Sequence, residues 1–329
     1  MFAPTFSRRT ALALGLSAIA NWSVAQTAPA AWPIKPLKII VGFPAGSSPD
    51  LTARAIAEPL ARLLGQPVIV DNKVGAGGNI GADIVAKATD QHTIGLMING
   101  NMTIARLLNP NIAYDPLKDL APVSLIGTAP LVLAAPVAVG GTGNARSFFD
   151  AARAAGDRWS YGTPGVGTVG HLGMELLKDK SGIKPVHIPF PGYAQVFNSM
   201  LGGQIELALL PPALAAQQIK AGKLKAIGVT SYGRSTLMPE VPSLAEVGIR
   251  GFGLEIWNGV AAPASMPPAI VHRLSAMVSD IVRTPEMREK LFNQGWVVVG
   301  SSAEGLANRI KADTAEMGAL IRSRGIKAE

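Results

Sequence analysis

Hydrophobic and polar positions follow two periods along this chain. Leu37-Lys38-Ile39-Ile40-Val41 is a short β-rich run, residues 42–50 form a turn rich in Gly, Ser and Pro, and residues 51–64 carry apolar positions at helical spacing. The unit recurs: Val68-Ile69-Val70, a glycine-rich loop over 74–78, a helix over 80–88, and a strand over 93–98 ending in Asn99-Gly100-Asn101. A second series opens near Pro130. It has a strand over 159–161, a loop over 162–170, a helix over 171–180 and a strand over 185–189. The turn Phe190-Pro191-Gly192 then leads into a helix over 193–201, and strands follow over 205–210 and 224–230. Beyond Pro239 come a segment over 257–262 and three helices opened by Pro267-Pro268, Thr284-Pro285-Glu286 and Ser302-Ala303-Glu304. Repeated strand–turn–helix units predict right-handed βαβ crossovers, and hence an α/β fold. The expected architecture is two lobes, each a mostly parallel sheet flanked by helices. Lobe I takes 26–129 plus 235–329 and lobe II takes 130–234, with a double-crossover hinge and a cleft between them.

Residues 1–25 read as an export signal. Arg8-Arg9 precedes an apolar stretch over 11–20, and Ser23-Val24-Ala25 supplies small residues before Gln26. The Arg pair permits twin-arginine as well as general secretion, although Ala11-Leu12 matches the former pattern only in part. With no cysteine, the chain has neither disulfides nor a lipid anchor through an N-terminal cysteine. The expectation is a monomer free in the periplasm. The uncharged stretch over 125–141 is broken by Pro130, Pro136 and glycines, so it reads as strands and a turn and not as a membrane helix. A formal charge of +8 is spread without runs or interleaved aromatics, which argues against nucleic acid as a partner.

Two turns are candidate ligand cradles. In an open parallel sheet, ligands sit beyond the carboxyl ends of strands, flanked by the loops after the first and third. Here those loops are Phe43-Pro44-Ala45-Gly46-Ser47-Ser48 and Asn99-Gly100-Asn101, and the helix start after Ser48 offers unpaired N–H groups to an anion. Asp50 is either the cap of that helix or a direct contact. The second cradle is Gly162-Thr163-Pro164-Gly165-Val166-Gly167-Thr168-Val169-Gly170-His171, where Gly165, Gly167 and Gly170 fit G-x-G-x-x-G. A dinucleotide needs an acid at the end of the next strand, and Phe190-Pro191 stands there, so no cofactor is expected. What remains is a set of backbone amides with the hydroxyls of Thr163 and Thr168. His171 either approaches the ligand or fixes the loop, and Tyr193 either lines the cleft or packs. The loop over 75–81 fails the dinucleotide spacing at Ile80 and reads as mainly structural. Catalytic signals are weak: the four histidines are dispersed, no pair has metal-ligand spacing, and no G-x-S-x-G elbow occurs.

In order along the chain, several segments resemble the Bug family, the solute receptors of tripartite tricarboxylate transporters. They are Gly42-Phe43-Pro44-Ala45-Gly46-Ser47 with Asp50 and Ala53-Arg54; Val70-Asp71-Asn72 with Gly75-Ala76-Gly77-Gly78-Asn79-Ile80-Gly81; Gly165-Val166-Gly167-Thr168 with His171-Leu172; Val186-His187-Ile188-Pro189-Phe190; Leu201-Gly202-Gly203-Gln204-Ile205; Ala221-Gly222-Lys223-Leu224-Lys225-Ala226; and Val241-Pro242-Ser243 with Ala245-Glu246. The resemblance implies a type II periplasmic binding protein fold, no enzymatic activity, and delivery of a small carboxylate to a membrane permease. It also implies capture by loop amides and water and not by an Arg clamp. Ser47 stands where the family often has a second Gly, and Gln91-His92 replaces its usual Gly-Tyr. Leu209-Leu210-Pro211 stands where many members have an acid that holds an amino group. A dicarboxylate or aromatic carboxylate is therefore favoured over an amino acid. The alternatives are an exported sensor presenting to a histidine kinase, and a periplasmic hydrolase or isomerase using the same cleft.

Overall fold

The computed structural model describes residues 32–141 and 144–326; the expected export signal lies outside them. The chain first builds β1 (Leu37–Val41), α1 (Ser48–Leu64), β2 (Val68–Asn72), α2 (Asn79–Ala86) and β3 (Thr93–Ile98). A π-helical turn over Gly100–Ile104 runs into the short α3 (Ala105–Leu108), and the long β4 (Leu120–Pro130) leads out. The second lobe follows as β5 (Val132–Pro136), α4 (Ala145–Ala155), β6 (Ser160–Thr163), α5 (Val169–Ser181), β7 (Val186–Pro189), α6 (Tyr193–Leu201), β8 (Leu207–Leu210), α7 (Pro212–Lys220) and β9 (Leu224–Val229). The return is β10 (Glu255–Pro263), α8 (Pro268–Arg283), α9 (Pro285–Asn293), β11 (Val297–Val298) and α10 (Ala303–Arg324).

The sheets run β11-β4-β10-β3-β1-β2 and β7-β6-β8-β5-β9. β1 lies parallel between β2 and β3, with Ile39 opposite both Val70 and Ile94; Leu37, Ile39 and Val41 are buried with α1, and Ile40 on the other face with Ala82 and Val85 of α2. β10 runs antiparallel between β3 and β4, and β5 antiparallel between β8 and β9. The sheets are thus mixed: most strands of each run one way, with β10 and β11 reversed in the first and β5 in the second. For β5 and β10 the reason is the crossing between lobes. Strands of βαβ units end at the cleft, whereas a strand entering from the other lobe begins there and must run the opposite way.

The boundary also moves. Residues 235–254, expected in lobe I, stay on the second sheet: Ser243 bridges Val229, Met238 and Val241 pack with Val132, and Leu244 and Phe252 pack with Leu133 and Leu172. Re-entry to the first sheet comes at Glu255, opposite Pro130.

Thr230 ties the three crossing segments together. Its hydroxyl accepts from Leu131 N at 2.8 Å and donates to Leu254 O at 2.7 Å. Its backbone N–H donates to Leu131 O and its carbonyl accepts from Leu254 N, each at 2.9 Å. α10 spans the join from outside, with Leu306 and Ile310 in a core shared with Trp257, and Met317 and Ile321 in the core of Leu133 and Leu172.

Candidate functional site

Between the lobes, at the carboxyl ends of the strands, lies a cleft of about 150 Å³. Four helix beginnings meet on it: Ser48 of α1, Val169 and Gly170 of α5, Tyr193, Ala194 and Gln195 of α6, and Pro211 with Leu214 at the start of α7. The first backbone hydrogen bonds along these helices are donated by Leu51, Leu172, Val196 and Ala215, so the N–H groups ahead of them have no backbone acceptor in the helix; Thr168 Oγ1 accepts that of His171, and Pro49, Pro211 and Pro212 carry none. These ends carry partial positive charge that favours an anion. No Asp, Glu, Lys, Arg or His is among the lining residues.

Phe43, Ala45, Gly46, Ser47, Ser48, Asn99, Thr168 and Tyr193 line this cleft, although the Thr168 hydroxyl, expected to face a ligand, is spent on Gly165 O and His171 N. The other candidates stand behind it. Asp50 turns its carboxylate inward, accepting from Gly46 N (2.8 Å), Asn72 Nδ2 (2.9 Å) and Arg54 Nε (3.0 Å). Burial alone raises its pKa, yet the hydrogen bonds from Arg54, Gly46 and Asn72 hold it below the usual carboxylate value. Asn101 donates to Gly77 O and Asn79 Oδ1, bracing the glycine loop after β2. Thr163 Oγ1 hydrogen-bonds His187 Nε2 at 2.7 Å. Gly165 N–H is spent on Thr163 Oγ1 and Gly167 N–H on His171 Nδ1. The turn amides expected to face a ligand are therefore largely committed to the turns themselves; the donors left at the cleft are those of the helix ends.

Gly165 and Gly167 face a separate hollow, across from Gly75, Ala76 and Gly77. A Cβ on Gly77 would stand 2.8 Å from Val166 O, and one on Gly165 2.9 Å from Gly77 Cα, so the two lobes meet glycine to glycine. The loop read as structural thus makes one of the inter-lobe contacts, beside those of Gly192 with Pro44 and Gly100 with Gly167.

His171 and His187 lie behind the second cradle. Their rings stack at 4.5 Å, and His187 stacks in turn on Tyr161 at 4.9 Å. Burial, reinforced by His171, depresses the His187 pKa to about 4. Tyr161 Oη donates to Glu175 Oε1, which also accepts from Lys178. The column fixes the turn mechanically. Among the described residues no group of three potential metal ligands occurs.

Sequence reasoning missed Gln195, Pro211, Leu214, Ile256, Asn258 and Trp296 on the cleft wall. Asn258 left a signal, a lone amide inside the apolar run of β10; Trp296 left none, because only the tertiary fold brings the α9–β11 loop to this place. Five buried side-chain atoms of the lining residues lack a protein partner: Ser47 Oγ, Ser48 Oγ, Asn99 Oδ1, Asn258 Oδ1 and Trp296 Nε1. A buried polar group without a partner costs about 1–3 kcal/mol.

Two α/β lobes joined by crossing strands, with a polar-rimmed cleft at the strand ends, define a periplasmic binding protein fold. The chain belongs to the TctC family, described as the tripartite tricarboxylate transporter family receptor, which matches residues 52–326. It is similar to a UPF0065 protein of Pseudomonas sp. (strain P51) from the tcbD-tcbE intergenic region, 34% identical over 293 residues, covering 88% of this chain and 87% of that one. Protein BugT of Bordetella pertussis is 30% identical over 90% of this chain and 91% of its own. Among solved structures, an R. palustris protein with adipate has a TM-score of 0.86 at 28% identity, covering 90% of this chain and 99% of that one. MatC from Rhodopseudomonas palustris with bound malate has a TM-score of 0.83 at 28% identity, covering 88% and 100%.

Proposed function

We propose that this chain is an extracytoplasmic receptor that captures a small carboxylate between its lobes and delivers it, without turnover, to a tripartite tricarboxylate-type permease. The observation that carries the reading is the meeting of four helix N-termini on one cleft with no charged side chain in its wall. Helix-end donors bind a carboxylate through charge-assisted hydrogen bonds of about 1.5–3 kcal/mol each, so several together support micromolar affinity. Solved relatives with adipate and with malate support the ligand class. The apolar wall (Phe43, Ile98, Leu214, Ile256, Trp296) leaves room for a hydrocarbon body, which keeps dicarboxylates and aromatic acids in play. Residues 1–25 fit export to the periplasm, and the protein acts as a monomer.

Thermal-shift screening of dicarboxylates, tricarboxylates and aromatic acids tests the reading. An acid present at about 100 times its dissociation constant stabilises the fold by about 2.7 kcal/mol. Thr168, buried at the start of α5, is the blocking position. Thr168→Trp is expected to abolish calorimetric binding while circular dichroism stays native; unchanged affinity in that variant rules this cleft out.

A further inference from the structure

We infer that the space behind the hinge sets how far the lobes open, with Tyr232 as the stop that meets α10. The inference concerns the motion of the lobes and holds for any solute they capture. Along β10 the side chains alternate across the crossing: Ile256 and Asn258 line the cleft, whereas Glu255 and Trp257 face α10 on the other side. There a second cavity of about 200 Å³ opens, larger than the cleft in front at about 150 Å³. One wall is made by Ser231, Tyr232 and Leu254, beside the crossing at Thr230, and the other by Arg309, Glu316 and Met317 of α10. In front, the lobes already touch: a Cβ on Gly192 would stand 3.4 Å from Pro44, and one on Gly295 3.0 Å from Ala213 N. Behind, they stand apart around the cavity. Turning two bodies about the segments that join them closes one side as the other opens, so opening of the cleft consumes this space.

α10 is a wall that does not yield. Trp257 Nε1 donates to Asp313 Oδ2 at 2.6 Å, and Arg309 pairs with Asp313 at 2.8 Å and with Glu255 at 3.7 Å, which pins the middle of the helix to the first lobe. A helix keeps its rise of about 1.5 Å per residue, so it does not shorten to make room. Tyr232 is the part that travels. A Cβ on Gly253 would run into its ring, so the ring and the hinge backbone move as one piece. Yet the side chain is 74% exposed, and a ring left that open to water adds little to the core. The motion accounts for its place: carried towards α10 as the cleft opens, it meets the helix and ends the swing.

Distance measurement by pulsed electron paramagnetic resonance tests this. The chain has no cysteine, so Leu63→Cys and Leu201→Cys take spin labels without background. Both positions are exposed at the far ends of α1 and α6, helices that begin at the cleft and lead away from it, so the label distance grows as the cleft opens. Ser231→Trp and Glu316→Trp fill the cavity from its two walls, and each should lower the long-distance fraction of the solute-free protein at least about threefold. Tyr232→Ala removes the stop from an exposed position and should lengthen the longest distance reached. Lys311→Trp, on α10 but outside the cavity, should leave the distribution as in wild type. Circular dichroism checks that each variant is folded. A distribution unmoved by both filling variants, or moved by them to longer distances, overturns the inference. So does an unchanged longest distance in Tyr232→Ala. Because no solute is added, these outcomes are independent of the carboxylate-receptor reading.

Discussion

Asp50 stands in the first turn of the helix that opens on the cleft, yet its carboxylate faces away and holds the turn together. Gly46, Asn72 and Arg54 all donate to it, and Asn72 also donates to Phe43 O, so one buried acid shapes the whole loop from residue 43 to 50. Asp50→Asn should destabilise the protein by about 1–3 kcal/mol in urea unfolding at neutral pH, because a charged acceptor of three donors is replaced by an amide. The folded pKa lies below the ordinary value of 3.8, so this stabilisation is complete above that value and lost as pH falls through the lower folded pKa. The difference between wild type and variant should therefore shrink in acid and not in base. A gap that persists unchanged at the lowest accessible pH would count against the assigned role. At this scale the sequence is informative at the Gly46 turn, but Asp50, read as a cap or a ligand contact, is neither: Ser47 stands at the N-cap and Asp50 braces the turn, while Thr168, read as a cradle hydroxyl, caps α5. It is silent where the same residue type serves two purposes: nothing local says that Asn99 faces the cleft while Asn101 braces a loop.

At the scale of elements, the strands and helices beside the cleft were legible because period, glycine turns and caps agree. β1 and β3 fall on the residues read from the pattern, and the helices opened by Thr284 and Ser302 carry those side chains as N-caps accepting from Met287 N and Gly305 N. α7 and α4 went unread, and so did the reversed direction of β5 and β10, since strand direction depends on which lobe a chain arrives from. The crossing itself is made by Thr230, whose hydroxyl both accepts and donates at the junction of three segments. Thr230→Val keeps the shape and leaves the Leu131 N–H and the Leu254 carbonyl short of one partner each. The expected cost is about 1–3 kcal/mol of stability, read by urea unfolding, with a changed closing rate in stopped-flow ligand mixing. Wild-type stability and kinetics together in that variant would show that the tie is incidental.

For the molecule as a whole, the two lobes meet where backbones pass and no side chain fits. Gly77, at φ +63°, lies against Val166 O. Gly77→Ala therefore strains the turn and props the lobes apart. Ligand affinity should fall about tenfold, because a smaller fraction of molecules reaches the closed state. In small-angle scattering, the compaction that ligand induces in wild type should be reduced in the variant. Full compaction with full affinity would place the closing contact elsewhere. The motif around Gly77 was visible in the sequence, but its role was not, because the partner surface at Val166 is nearly ninety positions away.

The uncharged wall of the cleft has a further consequence for where such a protein can work. A binding wall without Asp, Glu, Lys, Arg or His gains and loses no protons of its own near neutrality. If the solute is the carboxylate proposed above, acidity should act on capture mainly through its acid group, with a pKa of about 4. Affinity measured between about pH 7 and 9 should be level. A cell whose surroundings drift across that range would keep the same grip on the solute without any adjustment by the protein.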